Sequence, residues 1–291
     1  MFVTHLGVKL RAKHSRPLAK PRTETQLRTI AYHALRPMCS LAPHPFLSLS
    51  KPFTKRTLVS LRNVIRDSAL NKPGILADSS ASPSKDAAVL IPFCNVNDVP
   101  GILFEVRGKT LRSHSGEISF PGGRIDSTDK CFLAGALRET REELGIPPNR
   151  VEVLGELGPI EVNLRGNMRV WPYVAFVHGQ QINEKGTLDT PLSSIDLDDV
   201  RKHRSPEEVA SVFHLPLQAL ASPVRLKASK FRGGWPYWAV DVSDLVEAEK
   251  VVHGDGEFVD EVGCGQEDRI EIWGLTGWYL SLLTRILQIH S

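Results

Sequence analysis

Three glutamates lie within five positions of one predicted helix, in the stretch ALRETREELGI (136–146). At this spacing Glu139, Glu142 and Glu143 repel one another, which weakens an isolated helix. A Phe-Pro-Gly-Gly turn (120–123) precedes the helix, and its glycines let backbone carbonyls approach whatever the carboxylates hold. Mg²⁺ and Mn²⁺ prefer such an all-oxygen, negative site. The alternative is a solvated helix face whose acids pair with neighbouring arginines.

A metal bound by carboxylates suits phosphate substrates. It neutralises diphosphate oxygens and lowers the pKa of an attacking water. The apolar positions Leu133, Leu137 and Leu144 form a stripe that would anchor the helix, with the glutamates predicted on the opposite side. Gly145 predicts the end of the helix.

Residues 122–146, GGRIDSTDKCFLAGALRETREELGI, resemble the Nudix box, the signature of the Nudix hydrolases. Two positions depart from it: Thr140 fills an apolar position, and Lys130 stands where the general box has a glutamate. Asp126 or Asp129 is the alternative source of that carboxylate. The positions that match are Arg138, Glu139, Glu142, Glu143, Gly145 and Ile146.

The resemblance implies a Nudix fold, an α/β/α sandwich, and a hydrolase that depends on Mg²⁺ or Mn²⁺. Within it, Glu142 would hold a metal-bound water or act as the base, and Arg138 would orient the glutamates by ion pairing. The implied metal ligands are Glu139, Glu143 and Glu142, with a carbonyl of Gly122 or Gly123.

Residues 103–123, LFEVRGKTLRSHSGEISFPGG, resemble the additional motif of the coenzyme A diphosphatase branch of that family. Phe104 and Gly108 depart from this motif. The resemblance implies hydrolysis of coenzyme A or its thioesters to 3′,5′-ADP and 4′-phosphopantetheine or its acyl derivative. The matching positions are Arg107, Arg112, Gly116, Phe120, Pro121, Gly122 and Gly123.

Three residues of this upstream stretch are candidates for substrate binding. Arg107 and Arg112 can act as bidentate partners of phosphate, and His114 is a further candidate beside them. Surface solubility is the alternative interpretation of both arginines.

Other functions stay open at this point. The box also fits an enzyme that acts on another nucleoside diphosphate derivative, such as an oxidised nucleotide, NADH or an ADP-sugar. Lys130 is the only sequence support for a non-catalytic binding module. The sequence does not identify a distal general base, for which the candidates are Glu161, Asp196, Asp198, Asp199, Glu207 and Glu208.

The pattern of elements predicts an α/β fold with a mixed sheet flanked by helices. The apolar stretches 87–93 and 101–107 read as a hairpin-like pair. Further predicted elements are an amphipathic helix at 56–70, strands at 117–120, 151–157 and 170–177, a strand and short helix at 212–220, and a closing helix at 270–287.

Two groups of aromatic residues need an interpretation. Trp273, Trp278 and Tyr279 recur at helical spacing, which favours core packing over stacking on a base. The stretch Trp-Pro-Tyr (235–237) follows two glycines and is better placed for a binding loop.

Charge is distributed unevenly over the 291 residues. Residues 1–66 hold 13 of the 36 Lys and Arg but only one of the 33 acids, so the net charge of +3 does not argue for a nucleic-acid partner. This arginine-rich, hydroxyl-rich composition predicts a mitochondrial targeting segment over 1–66, disordered or cleaved, with a basic polyanion-binding tail as the alternative. Peroxisomal or cytosolic location is the other option.

The remaining composition sets the domain boundaries. A Pro/Ser/Ala-rich stretch predicts a linker over 67–83, which leaves one domain over 84–291. Four scattered cysteines favour reduced thiols over a zinc site or a disulfide framework. No apolar run is long enough to span a bilayer, so we expect no stable membrane insertion. The expected partner is coenzyme A or another nucleoside diphosphate, with a homodimer left open.

Overall fold

The structure, a computed structural model, describes residues 47–70, 85–108, 111, 116–163, 168–182, 186–232, 234–246 and 269–289. These residues all belong to one structural unit, Pro37–Ser291. Within them, no helix has the length and apolar character needed to cross a membrane.

The elements are numbered in chain order. The described strands are β1 (Lys85–Val96), β2 (Val99–Arg107), β3 (Ile118–Ser119), β4 (Gly122–Arg124), β5 (Val151–Glu156), β6 (Glu161–Val162), β7 (Met168–Val177), β8 (Val209–Pro216), β9 (Leu226–Phe231), β10 (Trp235–Asp241) and β11 (Glu271–Ile272). The described helices are α1 (Lys55–Leu70), α2 (Phe132–Leu144), α3 (Leu197–His203), α4 (Leu217–Leu220) and α5 (Gly274–Ile286).

Eight of the described strands form one mixed sheet. Strands β3, β2, β1, β7 and β5 lie side by side in that order, while β4 pairs with β1, β6 with β7 and β8 with β2. The β1–β7 pair is parallel and the other pairs are antiparallel. Strands β9, β10 and β11 form a separate antiparallel sheet. The predicted mixed sheet and the β1–β2 hairpin are confirmed.

Alternate residues of β2 enter two different hydrophobic cores. Leu103 packs with Leu144 of α2 and Val200 of α3, whereas Ile102 and Phe104 join the core on the opposite side. Successive side chains of a strand point to opposite faces, so the sheet is buried on both faces. Helices α1 and α5 contribute their apolar residues to the core that contains Ile102 and Phe104. This layering confirms the predicted α/β/α sandwich.

The chain joins the fold before the predicted domain start at residue 84. The ring of Phe53 lies 5.3 Å from that of Phe93 and 5.6 Å from that of Phe176. The Asn95 side chain accepts a hydrogen bond from the Phe53 amide (2.8 Å) and donates one to the Phe53 carbonyl (3.2 Å). This buried amide therefore ties the segment before α1 to β1.

The predicted end of the targeting segment at residue 66 is wrong, because it falls inside a helix of the folded domain. Helix α1 runs through it to Leu70 and buries Leu58, Leu61 and Ile65 in the core shared with α5. An apolar stripe at helical spacing is stabilised by covering the open face of a sheet. Residues 1–46 of the predicted targeting segment and residues 71–83 of the predicted linker lie outside the described ranges, whereas linker residues 67–70 belong to α1.

Several other elements differ from the prediction at their ends. The strand predicted at 117–120 is only Ile118–Ser119, and the chain then forms β4, whose Gly122 pairs with Val89 of β1. The closing helix begins at Gly274 rather than at 270, because residues 271–272 pair with β10. Helix α3 and strands β9 and β10 were not predicted.

Candidate functional site

Helix α2 carries its glutamates on two different faces. It ends at Gly145, which adopts the left-handed conformation (φ 68°), as predicted. Glu143 is buried together with Ala136 and Leu144, whereas Glu142 is exposed. The prediction that all three glutamates lie opposite the apolar stripe is therefore wrong for Glu143, which points inward at the glycine turn.

Thr140 occupies an apolar position of the box and is fully buried. Its hydroxyl donates a hydrogen bond to the Ala136 carbonyl at 2.7 Å. This bond lies within one turn of the helix, so the hydroxyl needs no partner in the core. The departure from the box is accommodated locally.

The Gly-Gly turn fits closely against the glutamates. The Gly122 amide donates a hydrogen bond to Oε2 of Glu143 (2.8 Å), and the residue adopts φ 144°, which disfavours any side chain. A Cβ atom at Gly123 would lie 2.5 Å from Cδ of Glu139. Both glycines are therefore required for the backbone to approach the two carboxylates.

Arg138 fixes the exposed side of the cluster. Its guanidinium makes two hydrogen bonds with Asp129, both 3.0 Å, and lies 3.0 Å from Glu139 Oε1 and 2.9 Å from Glu142 Oε2. The hydrogen bonds from Arg138 hold the pKa of the Asp129 carboxyl below its usual range. Lys130, at the box position of the missing glutamate, is exposed. Its neighbour Asp129 is the carboxylate that anchors the arginine.

Glu105 is a fourth carboxylate of this cluster, and sequence reasoning missed it. It lies on β2 with 0% of its surface exposed. Its Oε1 accepts a hydrogen bond from the Ser119 hydroxyl (2.8 Å) and lies 3.7 Å from Nη1 of Arg107. Its Oε2 has no hydrogen-bond partner among the described residues. The available signal was an acid inside an apolar strand, where a charged residue is rarely buried without a partner.

Burial disfavours the charged form of these carboxyls. It raises the pKa of Glu105 and that of Glu143, and the charge of Glu105 raises the pKa of Glu143 further. Burial also raises the pKa of Glu139, although the charge of Arg138 opposes it. Arg107 lowers the pKa of both buried glutamates. The surroundings of these carboxyls therefore favour their neutral forms.

A cleft of about 480 Å³ opens beside this cluster. The acidic residues that line it are Glu117, Glu139, Glu143 and Glu208. Gly122 and Gly123 line it as well. Its cationic lining is Lys85 at the start of β1, Arg107 at the end of β2 and Arg124 at the end of β4. Opposite charges therefore face one cavity, as a metal-bound, anionic substrate requires.

The C-terminal part of the chain forms another section of the lining. Residues 273–276, the start of α5, line the cleft, and Trp273 is half-buried there. Trp278 and Tyr279 are buried in the core, as predicted, and the partly buried Trp273 packs against the same core while it also lines the cleft.

The other predicted aromatic group lies in a strand. Trp235 and Tyr237 belong to β10; Trp235 is 54% exposed and Tyr237 is buried. Neither lines the cleft, so the predicted binding loop is wrong. The regular pairing of β10 with β9 and β11 leaves no loop at this position.

The cleft brings together five of the predicted site residues: Glu139, Glu143, Gly122, Gly123 and Arg107. Glu142 does not line it and pairs with Arg138 instead. Arg112 and His114 lie outside the described residues. The Gly116 amide, which follows them in the chain, donates a hydrogen bond to the Arg107 carbonyl at 3.1 Å.

Glu208 is the candidate base that lines the cleft. Its carbonyl accepts a hydrogen bond from the Gly108 amide (2.7 Å), which places it beside the end of β2. Glu161 instead accepts a hydrogen bond from Trp278 Nε1 (3.0 Å), and Asp196 caps α3. Asp198, Asp199 and Glu207 are not among the lining residues either.

A divalent cation fits the charge and donor chemistry of this site. The partnerless, buried Oε2 of Glu105 and the crowded carboxyls of Glu139 and Glu143 are hard oxygen donors that a cation would satisfy. Among the described residues, no group of three or more His, Cys, Asp or Glu side chains is arranged to hold a metal ion as it stands. The site therefore offers donors rather than a preformed cage.

A match to the NUDIX domain family covers residues 85–232, just over half of the chain. The chain therefore belongs to the NUDIX domain family. The matched segment contains the whole glutamate cluster, both glycines and the cationic residues of the cleft, and it ends before α5.

Bacterial relatives share this segment. The chain is 40% identical to "Uncharacterized Nudix hydrolase NudL" of Enterobacter sp. (strain 638) over 133 residues, which is 46% of this chain and 58% of that protein. It is 38% identical to the NudL of Cronobacter sakazakii (strain ATCC BAA-894) over 138 residues, 47% of this chain and 60% of that protein. The chain spans less than two thirds of these relatives.

Solved structures give weaker similarities. A MutT/nudix family protein from Enterococcus faecalis is 15% identical, with a TM-score of 0.31 over 69% of this chain and 60% of that one. The NUDIX domain of Shewanella oneidensis NrtR, solved with ADP ribose, is 17% identical, with a TM-score of 0.31 over 53% of this chain and 84% of that one. The fold assignment rests on the family match and not on these scores.

Proposed function

We propose that the chain hydrolyses the diphosphate bond of coenzyme A or its thioesters, giving 3′,5′-ADP and 4′-phosphopantetheine or its acyl derivative. The observation that carries this proposal is the cleft that Glu139 and Glu143 line together with the cations of three strands. Membership of the NUDIX family supports the hydrolase class, and the 103–123 motif supports this substrate.

In this proposal Glu139 and Glu143 would hold Mg²⁺ or Mn²⁺, with a carbonyl of Gly122 or Gly123 and with Glu142 at the exposed edge. The bound cation would neutralise diphosphate oxygens and lower the pKa of the attacking water. Arg138 keeps Glu139 and Glu142 in place through its anchor on Asp129. Their orientation is then set before substrate arrives.

The protein's own cations would bind the substrate. Arg107 presents its guanidinium to the cleft and would pair with the diphosphate. Glu208, also in the cleft, would accept the proton that leaves the attacking water at its carboxylate.

Coenzyme A carries a 3′-phosphate in addition to its diphosphate, and the cleft offers cations for both groups. Lys85 and Arg124 lie on paired strands, with Arg124 opposite Ala87, two residues along β1 from Lys85. Both side chains are exposed, and the ion pairs of the described residues include neither. These cations would select the 3′-phosphate.

A substrate panel tests the proposal. The purified full chain is incubated with coenzyme A, dephospho-coenzyme A, NADH, ADP-ribose and 8-oxo-dGTP, with Mg²⁺, Mn²⁺ or EDTA, and products are separated chromatographically. We expect metal-dependent cleavage of coenzyme A to 3′,5′-ADP, with a higher kcat/KM than for any other compound. Dephospho-coenzyme A is the matched control, since it lacks only the 3′-phosphate.

Each of the other outcomes contradicts a particular part of the proposed function. Preference for NADH, ADP-ribose or 8-oxo-dGTP would show another nucleoside diphosphate hydrolase. Equal cleavage of coenzyme A and dephospho-coenzyme A would reject the role of Lys85 and Arg124. Absence of any cleavage with metal present would favour a non-catalytic NUDIX module.

We further propose mitochondrial targeting by the basic segment. Residues 1–46 hold eight Lys and Arg and one acid, and they precede the first folded residues described. A fluorescent reporter fused after residue 46 should enter mitochondria, while the same fusion with these eight cations changed to Gln should not. A reporter that stays cytosolic or reaches peroxisomes contradicts the proposal.

A further inference from the structure

Glu105 is a buried acid that the family signature does not include. It lies on β2 two residues from Leu103, whose side chain packs under α2. Side chains two residues apart on a strand share a face, so Glu105 also faces the α2 side of the sheet. Both residues that contact its Oε1, Ser119 and Arg107, line the cleft.

The contacts of Glu105 leave half of its carboxylate unsatisfied. Oε1 accepts the Ser119 hydroxyl at 2.8 Å, but Oε2 is buried and has no partner among the described residues. Nε of Arg107 is likewise buried without a hydrogen-bond partner there. Leaving a buried polar oxygen without a hydrogen bond is unfavourable, and native structures pair nearly all such atoms.

A purely structural ion pair does not explain this arrangement. Arg107 approaches Glu105 only to 3.7 Å, which is too long for a hydrogen bond. A buried pair is stable only when geometry is good and the remaining oxygens are satisfied. The other charges acting on Glu105 are the acids Glu139 and Glu208, and Glu105 acts in turn on Glu143. Arg107 therefore leaves Oε2 of Glu105 without a hydrogen-bond donor among the described residues.

We propose that Glu105 contributes its carboxylate to the divalent-cation site of the cleft, from strand β2 and outside the α2 signature. This inference rests on the proposed function, because it requires that Glu139 and Glu143 hold a cation. The cation would then provide the positive charge that Oε2 lacks. Arg107, which approaches Oε1 and not Oε2 of Glu105, stays available to the substrate.

The test measures Mn²⁺ binding directly. The full chain is titrated with Mn²⁺, and free Mn²⁺ is followed by its electron paramagnetic resonance signal. Glu105→Gln keeps the shape of the side chain and removes its charge. We expect its Kd for Mn²⁺ to rise about 10- to 100-fold, the usual effect of removing a group that supports a metal site.

Glu271→Gln is the matched control. Glu271 is also a buried glutamate with partnerless side-chain oxygens, but it lies on β11, 3.5 Å from Nζ of Lys227, and does not line the cleft. Its variant should bind Mn²⁺ like the wild type. Circular dichroism and thermal unfolding are measured first. If Glu105→Gln does not fold, Glu105→Met replaces it, since an apolar residue of similar volume has no hydrogen-bonding demand.

The outcomes separate the two proposals. A wild-type chain that does not bind Mn²⁺ rejects the proposed function itself. A wild-type chain that binds Mn²⁺ while folded Glu105→Gln or Glu105→Met binds it equally well overturns this inference alone. If Glu271→Gln weakens Mn²⁺ binding as much as Glu105→Gln does, the inference is also overturned. The effect would then reflect the net charge of the chain and not the position of Glu105 beside the cleft.

Discussion

Two of the walls of the cleft differ in how their residues are distributed along the chain. The acidic wall, defined here as β4 and α2, comes from residues 122–144 and carries Glu139 and Glu143. The aromatic wall, defined as residues 273–276, comes from the start of α5 and lies outside the segment matched to the family.

The difference indicates a division of labour. The acidic wall is built from a short stretch whose turn and helix fix the distances between the charged groups, so it suits chemistry shared across a family. The aromatic wall depends on a distant element that presents Trp273 and Leu275. We expect changes in the acidic wall to lower kcat and changes in the aromatic wall to alter substrate affinity.

The largest effect is expected for Glu143→Gln in the acidic wall. Loss of this carboxylate should reduce kcat for coenzyme A by about a thousandfold, because a bound metal supplies several kcal/mol of transition-state stabilisation. Steady-state kinetics with Mg²⁺ measures it. Glu142→Gln, one residue earlier but exposed, should lose less activity. A greater loss for Glu142→Gln would show that the buried glutamate does not hold the cation.

Arg107→Lys should give the next largest effect. Lysine keeps the charge but lacks the planar fork that grips phosphate, so kcat/KM should fall about 10- to 100-fold. Arg225→Lys is the matched control, since Arg225 makes two 2.6 Å hydrogen bonds with Asp244 at a site that does not line the cleft. Similar losses in both variants would trace the effect to stability, not to substrate binding.

The acidic wall was largely predictable from the sequence because its determinants are local. Apolar spacing and Gly145 predicted α2 and its end. Adjacent helical residues differ by about 100° in direction, so Glu142 can be exposed while Glu143 is buried. The sequence did not show which of the two would turn inward, since that depends on the hydrogen bond that the Gly122 amide of β4 donates to Glu143.

The rest of the site was not predictable in the same way. Glu105 was overlooked because strand periodicity treats an acid among apolar residues as an outlier and does not give its partners. Trp273 shares helical spacing with the buried Trp278 and packs against the same core, but the spacing did not show that it also lines the cleft. Residues 47–54 were assigned to the targeting segment because residues 1–66 are basic as a whole, so the burial of Leu47 and Phe53 was not foreseen.

Trp273→Ala tests the aromatic wall. Loss of this flat surface should raise KM for coenzyme A about tenfold and change kcat less than about twofold, since it removes binding that is equal in ground and transition states. Trp235→Ala, at an exposed tryptophan outside the cleft, should leave both constants unchanged. A large fall in kcat at constant KM would contradict the division between the two walls.

The smallest effect is expected for Thr140→Val in the acidic wall, and it probes whether the departure from the box takes part in the chemistry. The hydroxyl bonds only within its own helix, so its removal should change the free energy of unfolding by less than about 1 kcal/mol and kcat by less than about twofold. Thr284→Val in α5 is the comparison, because its hydroxyl donates to the Ser281 carbonyl three residues earlier. Chemical denaturation and kinetics measure both variants. If Thr140→Val alone loses more than about tenfold in kcat, the hydroxyl supports the neighbouring carboxylates, and the acidic wall depends on this position as well as on its glutamates.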